Sequence, residues 1–139
     1  MSLQDASAVP AIRTREDLRH WTQTPLKSAR SWITPDVILL ERDGCRLVLK
    51  DVSRRPRLFR ILWCRKAITR EIRAMELLRG MPEASRVVAR LDADGFVMEW
   101  LDARPLPARK LADQLGTGFF QELERVVREM HSRGVAHLD

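Results

Sequence analysis

The chain has 139 residues, 45% of them hydrophobic and 32% charged, with a formal net charge of +6 and a pI of about 10.3. That length suits one domain with a real core and is too short for two ordinary ones. No window approaches the roughly 18 consecutive apolar residues of a membrane span, and the first residues lack the apolar core of a signal peptide, so a cytoplasmic protein is expected.

Residues 1–31 are polar and low in apolar periodicity, and read as an N-terminal extension. Thr14-Arg15-Glu16-Asp17 has the form of a capping box opening a short helix through Trp21, which Pro25 would stop. Leu18 and Trp21 are its candidate packing residues. From Trp32 the pattern changes. Val37-Ile38-Leu39-Leu40 and Arg46-Leu47-Val48-Leu49-Lys50 flank Glu41-Arg42-Asp43-Gly44, where Asp-Gly supplies a hairpin turn. The returning strand ends in Lys50, a cation on a strand that otherwise looks buried.

Pro56 opens a long helical stretch. Leu58, Phe59 and Leu62 form one apolar group; Ile68, Ile72, Met75 and Leu78 form another, before Gly80 and Pro82 end the helix. Glu71 lies at the flank of the second stripe, where a carboxylate is costly to bury alone and stable beside a cation such as Lys50. A second hairpin follows: Val87 to Leu91, a turn at Asp92-Ala93-Asp94-Gly95, and Phe96 to Leu101. Residues 102–107 are a connector, and Ala108 to Leu115 can form a short helix ending at Gly116. Phe120, Leu123, Val127 and Met130 then recur at helical spacing, with Gly134 as the stop and a short strand-like run to Leu138. Hairpin, helix, hairpin, connector and helices make an α+β fold, an antiparallel sheet with one helix against it and a helical part after it.

Cys45 and Cys64 show no Cys-x-x-Cys spacing and no His clustering, so free thiols are expected and no metal site. The positive excess is concentrated in Arg54, Arg55, Arg57, Arg60, Arg65, Lys66, Arg70 and Arg73. A basic stretch of that kind admits nucleic acid, an acidic partner or an anionic membrane surface as partner. The interleaved Leu, Phe, Ile and Trp, with no sequence-reading motif, argue against nucleic acid.

The order of these elements, with these residues at these points, resembles the protein-kinase-like fold from about Trp32 onward. Leu47-Val48-Leu49-Lys50 is similar to the Val-Ala-Ile-Lys motif, whose lysine holds the α- and β-phosphates of ATP. Glu71, in Glu71-Ile72-Arg73-Ala74-Met75-Glu76, matches the helix glutamate that pairs with it. Phe96-Val97-Met98-Glu99-Trp100-Leu101-Asp102 resembles the fifth strand and hinge, with Met98 as gatekeeper and the backbone of Glu99 and Leu101 meeting adenine. Gly134-Val135-Ala136-His137-Leu138-Asp139 is similar to the entry of a catalytic loop, which makes Asp139 the candidate base and His137 a structural residue. The resemblance leans toward compact bacterial kinases of the lipopolysaccharide-core and RIO types. It implies three parts: an extension at 1–31, a small lobe and hinge at 32–101, and the start of a large lobe at 102–139.

Two departures from the family pattern shape the expectation. The hairpin at Glu41 to Gly44 has no Gly-x-Gly-x-x-Gly loop, so cradling of phosphate by backbone N–H groups is reduced or passes to nearby arginines. The metal-binding asparagine and the Asp-Phe-Gly triplet do not occur by Asp139. An ATP- and Mg²⁺-dependent phosphotransferase is therefore expected to be inactive as this 139-residue chain. Its acceptor hydroxyl, on a protein, a lipid-linked sugar or a small molecule, is open. The alternatives are a non-catalytic nucleotide-binding or regulatory domain, and a basic module for nucleic acid or an acidic partner. The apolar face of helix 119–133 is expected to stay exposed or to drive self-association.

Overall fold

The computed structural model describes residues 11–27, 30–103 and 115–136, and within them the chain is α+β. Five antiparallel strands lie in the order β1-β2-β3-β5-β4. They are β1 (Thr22–Lys27), β2 (Asp36–Arg42), β3 (Cys45–Asp51), β4 (Val87–Arg90) and β5 (Gly95–Glu99). Between β3 and β4 runs a continuous helical stretch: α1 (Arg57–Phe59), a π-helical segment (Arg60–Cys64) and α2 (Arg65–Leu77). A second helix, α3 (Thr117–Ser132), follows the sheet.

Asp43 and Gly44 have φ of 50° and 78°, the left-handed pair that a two-residue hairpin needs to match the twist of its strands. Asp tolerates that region and Gly adopts it freely, so the dipeptide sets the β2–β3 register, with Leu40 opposite Leu47 and Ile38 opposite Leu49. Alternation along these strands divides the core in two. Leu40, Leu47, Leu49 and Val97 face one side, and Val52 and Phe96 join Cys64, Ile68 and Ile72 of the helical stretch on the other.

The first of these cores is closed by the segment read as an extension. Ile12, Leu18 and Trp21 are each 5% exposed and pack on Leu40, Leu47, Leu49 and Val97. Burying three such side chains contributes about 2 kcal/mol apiece before the entropy of ordering the segment is counted. The sheet also starts earlier than residue 32, because residues 22–27 form its edge strand, with Thr22 opposite Glu41 and Pro25 opposite Ile38. The expected helix shrinks to a single 3₁₀ turn, Asp17–His20. There the Asp17 carboxylate accepts the backbone N–H groups of Arg13 and Thr14 at 2.9 and 2.8 Å and the Thr14 hydroxyl at 3.0 Å. Pro25 does not end a helix; it sits in an edge strand, the one sheet position that spares a missing N–H.

The helical stretch starts at Pro56 as expected, but the π-helical segment changes which residues face inward. Cys64, Ile68 and Ile72 are buried, four residues apart, whereas Leu58 and Leu62 point outward. The periodicity had grouped Leu58 and Leu62 with the packing face. The wider turn between the two α-helical parts rotates that group into solvent.

Candidate functional site

Successive residues of β3 on the helix side of the sheet are Arg46, Val48 and Lys50, and register places Val48 opposite Met98 and Lys50 opposite Phe96 of β5. Lys50 Nζ pairs with Glu71 Oε1 of α2. The side chains are 21% and 36% exposed, so the pair lines the border between core and solvent. It forms because Ile68 and Ile72 anchor α2 on Val52 and Phe96, which leaves Glu71 one residue aside and aimed at the neighbouring strand. Met98 is half-buried and packs against the same core.

Toward the end of β5, Leu47 lies opposite Glu99. Lys50 is three residues along β3 from that pair, so its Cα and the Glu99 backbone are about 10 Å apart along the sheet. The Glu99 N–H donates to the Arg86 carbonyl at 2.9 Å, and its own carbonyl accepts the Ser85 hydroxyl at 3.3 Å. Its carboxylate pairs with Arg86 at 2.6 Å. Leu101 is exposed, and its carbonyl accepts the Ala103 N–H at 2.9 Å. Next to it, the Arg46 guanidinium stacks 5.8 Å from the ring centroid of Trp100, a cation–π contact on the same face as Val48 and Lys50. The sequence reading missed Arg46 and Trp100; strand alternation alone, two residues from Val48 and two from Met98, would have found both.

Lys50, Glu71 and Met98 are thus brought onto one face, with the Glu99–Leu101 backbone at its edge. Asp139 and His137 lie outside the described residues, as does most of the helix expected at 108–115. Among the described residues, no group of three His, Cys, Asp or Glu side chains is placed to hold a metal ion.

A second charged cluster sits on the opposite face. Arg15 reaches Asp51 with two nitrogens at 2.9 and 3.0 Å and also pairs with Asp92. Ser53 adds its N–H and hydroxyl to Asp51 at 2.9 and 3.0 Å. Burial pushes the Asp51 carboxyl up, but Arg15 and Ser53 outweigh it and hold it below the usual carboxylate range. A hydrogen bond from Arg15 likewise lowers Asp92, and the two acids raise Arg15 further. A Cβ on Gly95 would lie 3.0 Å from the Arg15 guanidinium and 3.2 Å from the Lys50 carbonyl, so a side chain there would press on the cluster and make its neighbours shift by a few tenths of an ångström. This cluster fixes the N-terminal arm and is structural.

Much of the exposed apolar surface lies on the helical stretch, on Trp32 and Ile33 beside it, and on α3. Phe120, Leu123 and Val127 of α3 are exposed, while its middle is tied by Arg125 to Glu83 at 2.6 Å and its C-terminal end by Arg133 to the Arg79 carbonyl at 2.8 Å. No helix among the described residues is long and apolar enough to cross a membrane. No family model, curated protein or solved structure matches the chain.

Proposed function

We propose that the chain carries the nucleotide-holding lobe of an ATP-dependent, protein-kinase-like phosphotransferase. The observation that supports this best is the Lys50–Glu71 pair, formed between a central strand and the helix packed on it. Two side chains of a sheet and a helix, each costly to leave unpaired at a core border, meet on the face that also presents Val48, Met98 and the hinge-like backbone.

In this reading Lys50 neutralises phosphate oxygens and Glu71 fixes its ammonium in place. Val48 and Met98 offer an apolar floor for a base; the Glu99 N–H is taken by Arg86, so the edge hydrogen bonds would fall to the Leu101 backbone and to the Glu99 carbonyl, shared with the Ser85 hydroxyl. The β1–β2 connection, residues 28–35, becomes the first hairpin loop, in place of Glu41 to Gly44. It contains no glycine but includes Arg30 and Ser31, so side chains would supply contacts that a glycine loop takes from its backbone. In transfer, the acceptor hydroxyl oxygen would bond to the γ-phosphorus as the bond to the ADP oxygen breaks, and Asp139 would take the hydroxyl proton.

The test is titration of the 139-residue chain with a fluorescent ATP analogue, followed by anisotropy. Saturable binding that unlabelled ATP displaces is expected, weakened about tenfold or more in Lys50→Met, the loss of one charge-assisted hydrogen-bonding group. No saturable binding, or equal binding by the folded Lys50→Met variant, would sink the reading.

A further inference from the structure

Between Arg54 and Arg70 the chain has seven basic residues and no acidic one. The structure sorts these cations. Arg55 pairs with Asp36 at 2.7 Å, and Arg60 and Arg65 pair with Asp94 at 3.3 and 2.8 Å. Arg54, Arg57, Lys66 and Arg70 are exposed and have no acidic partner among the described residues.

The same surface exposes large apolar side chains. Leu58 and Trp32 are each 64% exposed, Trp63 is 52% and Ile33 is 51%. Their rings are ordered against one another: Trp32, Phe59 and Trp63 form a row with centroid distances of 5.8 and 5.7 Å. The backbone beneath is held as well. The Cys64 thiol lies 3.8 and 3.7 Å from the carbonyls of Trp32 and Ile33, and Arg55 donates to the Thr34 carbonyl at 3.0 Å. Apolar and basic groups share the same hollows, Ile33, Leu62 and Trp63 with Lys66 and Arg70, and Trp32 with Arg30 and Arg54.

We propose that this face docks on an anionic lipid bilayer. Tryptophan rings and aliphatic side chains surrounded by unpaired cations match the boundary between acyl chains and negatively charged headgroups. A nucleic acid could stack on the tryptophans but would leave Leu58 and Leu62 in water. The charge complementarity lies with a surface both anionic and apolar just beneath. The proposal does not rest on the nucleotide reading, although it shares Arg30 and the 28–35 connection with it.

The test mixes the 139-residue chain with vesicles of phosphatidylcholine, with and without phosphatidylglycerol, and measures co-sedimentation and tryptophan emission. Binding to the anionic vesicles alone is expected, with a blue shift as Trp32 and Trp63 leave water. Trp32→Ser with Trp63→Ser should weaken binding about tenfold or more. Lys66→Glu with Arg70→Glu, both exposed and without an acidic partner among the described residues, should weaken it about thirtyfold. Absence of binding to anionic vesicles overturns the proposal. So does binding that the tryptophan variant leaves unchanged, which net charge alone would explain. Tryptophan-dependent capture of a single-stranded oligonucleotide or an acidic peptide, without vesicle binding, overturns it in favour of that partner.

Discussion

Lys50 on β3 and Glu71 on α2, 21 positions apart in the chain, meet as an ammonium and a carboxylate at the rim of the helix-side core. Both are partly solvated, so the pair contributes little to stability while fixing where the ammonium points. Glu71→Gln should lower unfolding free energy by about 0.5–1 kcal/mol in urea titrations. It should weaken binding of the ATP analogue about fivefold, because an untethered ammonium must be ordered by the ligand instead. A loss of several kcal/mol with unchanged nucleotide binding would make the pair purely structural.

The Arg15 cluster should give the protein an acid-sensitive fold. Asp51 and Asp92 have folded-state pKa values held below their unfolded ones. Their stabilisation is therefore present above the unfolded carboxylate range, about pH 4, and is lost as pH falls through the folded values. Arg15→Met should remove about 2 kcal/mol at neutral pH, discounted because the arginine side chain is 34% exposed. It should also flatten the acid limb of stability against pH. Circular dichroism melts between pH 2 and 7 (roughly the span over which carboxylates titrate) check both.

The two thiols should separate kinetically. Both Cys45 and Cys64 are raised by burial, but Cys64 is 1% exposed and lies under the Trp32–Ile33 backbone, whereas Cys45 is half-buried. Ellman's reagent at mildly alkaline pH should label Cys45 first, and Cys64 only at the rate of opening of the helical stretch. Equal rates would mean that α1 and the π-helical segment are not held against the sheet.

Helix α3 ends in a Gly134 with φ of 80°, whose N–H and that of Val135 bond back to His131 and Met130 at 2.9 and 3.0 Å. The helix is well formed, yet its apolar stripe is exposed, and we expect concentration-dependent association. Leu123→Glu should return a light-scattering mass to that of the monomer. A wild-type chain that is monomeric across a wide concentration series would refute the expectation.

What could be read from sequence followed how local the cause is. The Asp43-Gly44 hairpin and Gly134 rest on conformations that one or two residues dictate, and their positions were legible. Lys50 and Glu71 stood out because a charge beside an apolar stripe needs a partner. Strand β1 was not legible: all six of its residues are exposed, so an edge strand left no alternation to see, and Pro25 read as a stop. The outward turn of Leu58 and Leu62 was hidden too. Their spacing is that of a packed helix, and the π-helical segment that rotates them has no residue signature of its own.

The Arg15 cluster also sets an order of assembly. Its partners lie 36 and 77 positions further along the chain, so the N-terminal arm emerges from the ribosome well before anything it can bind. Until the second hairpin is made, Ile12, Leu18 and Trp21 have Leu40, Leu47 and Leu49 to rest on but neither Val97 nor the Asp92 anchor. The arm is therefore fully held only once the chain has been made through Val97, and a nascent chain halted before residue 92 should leave it open to protease.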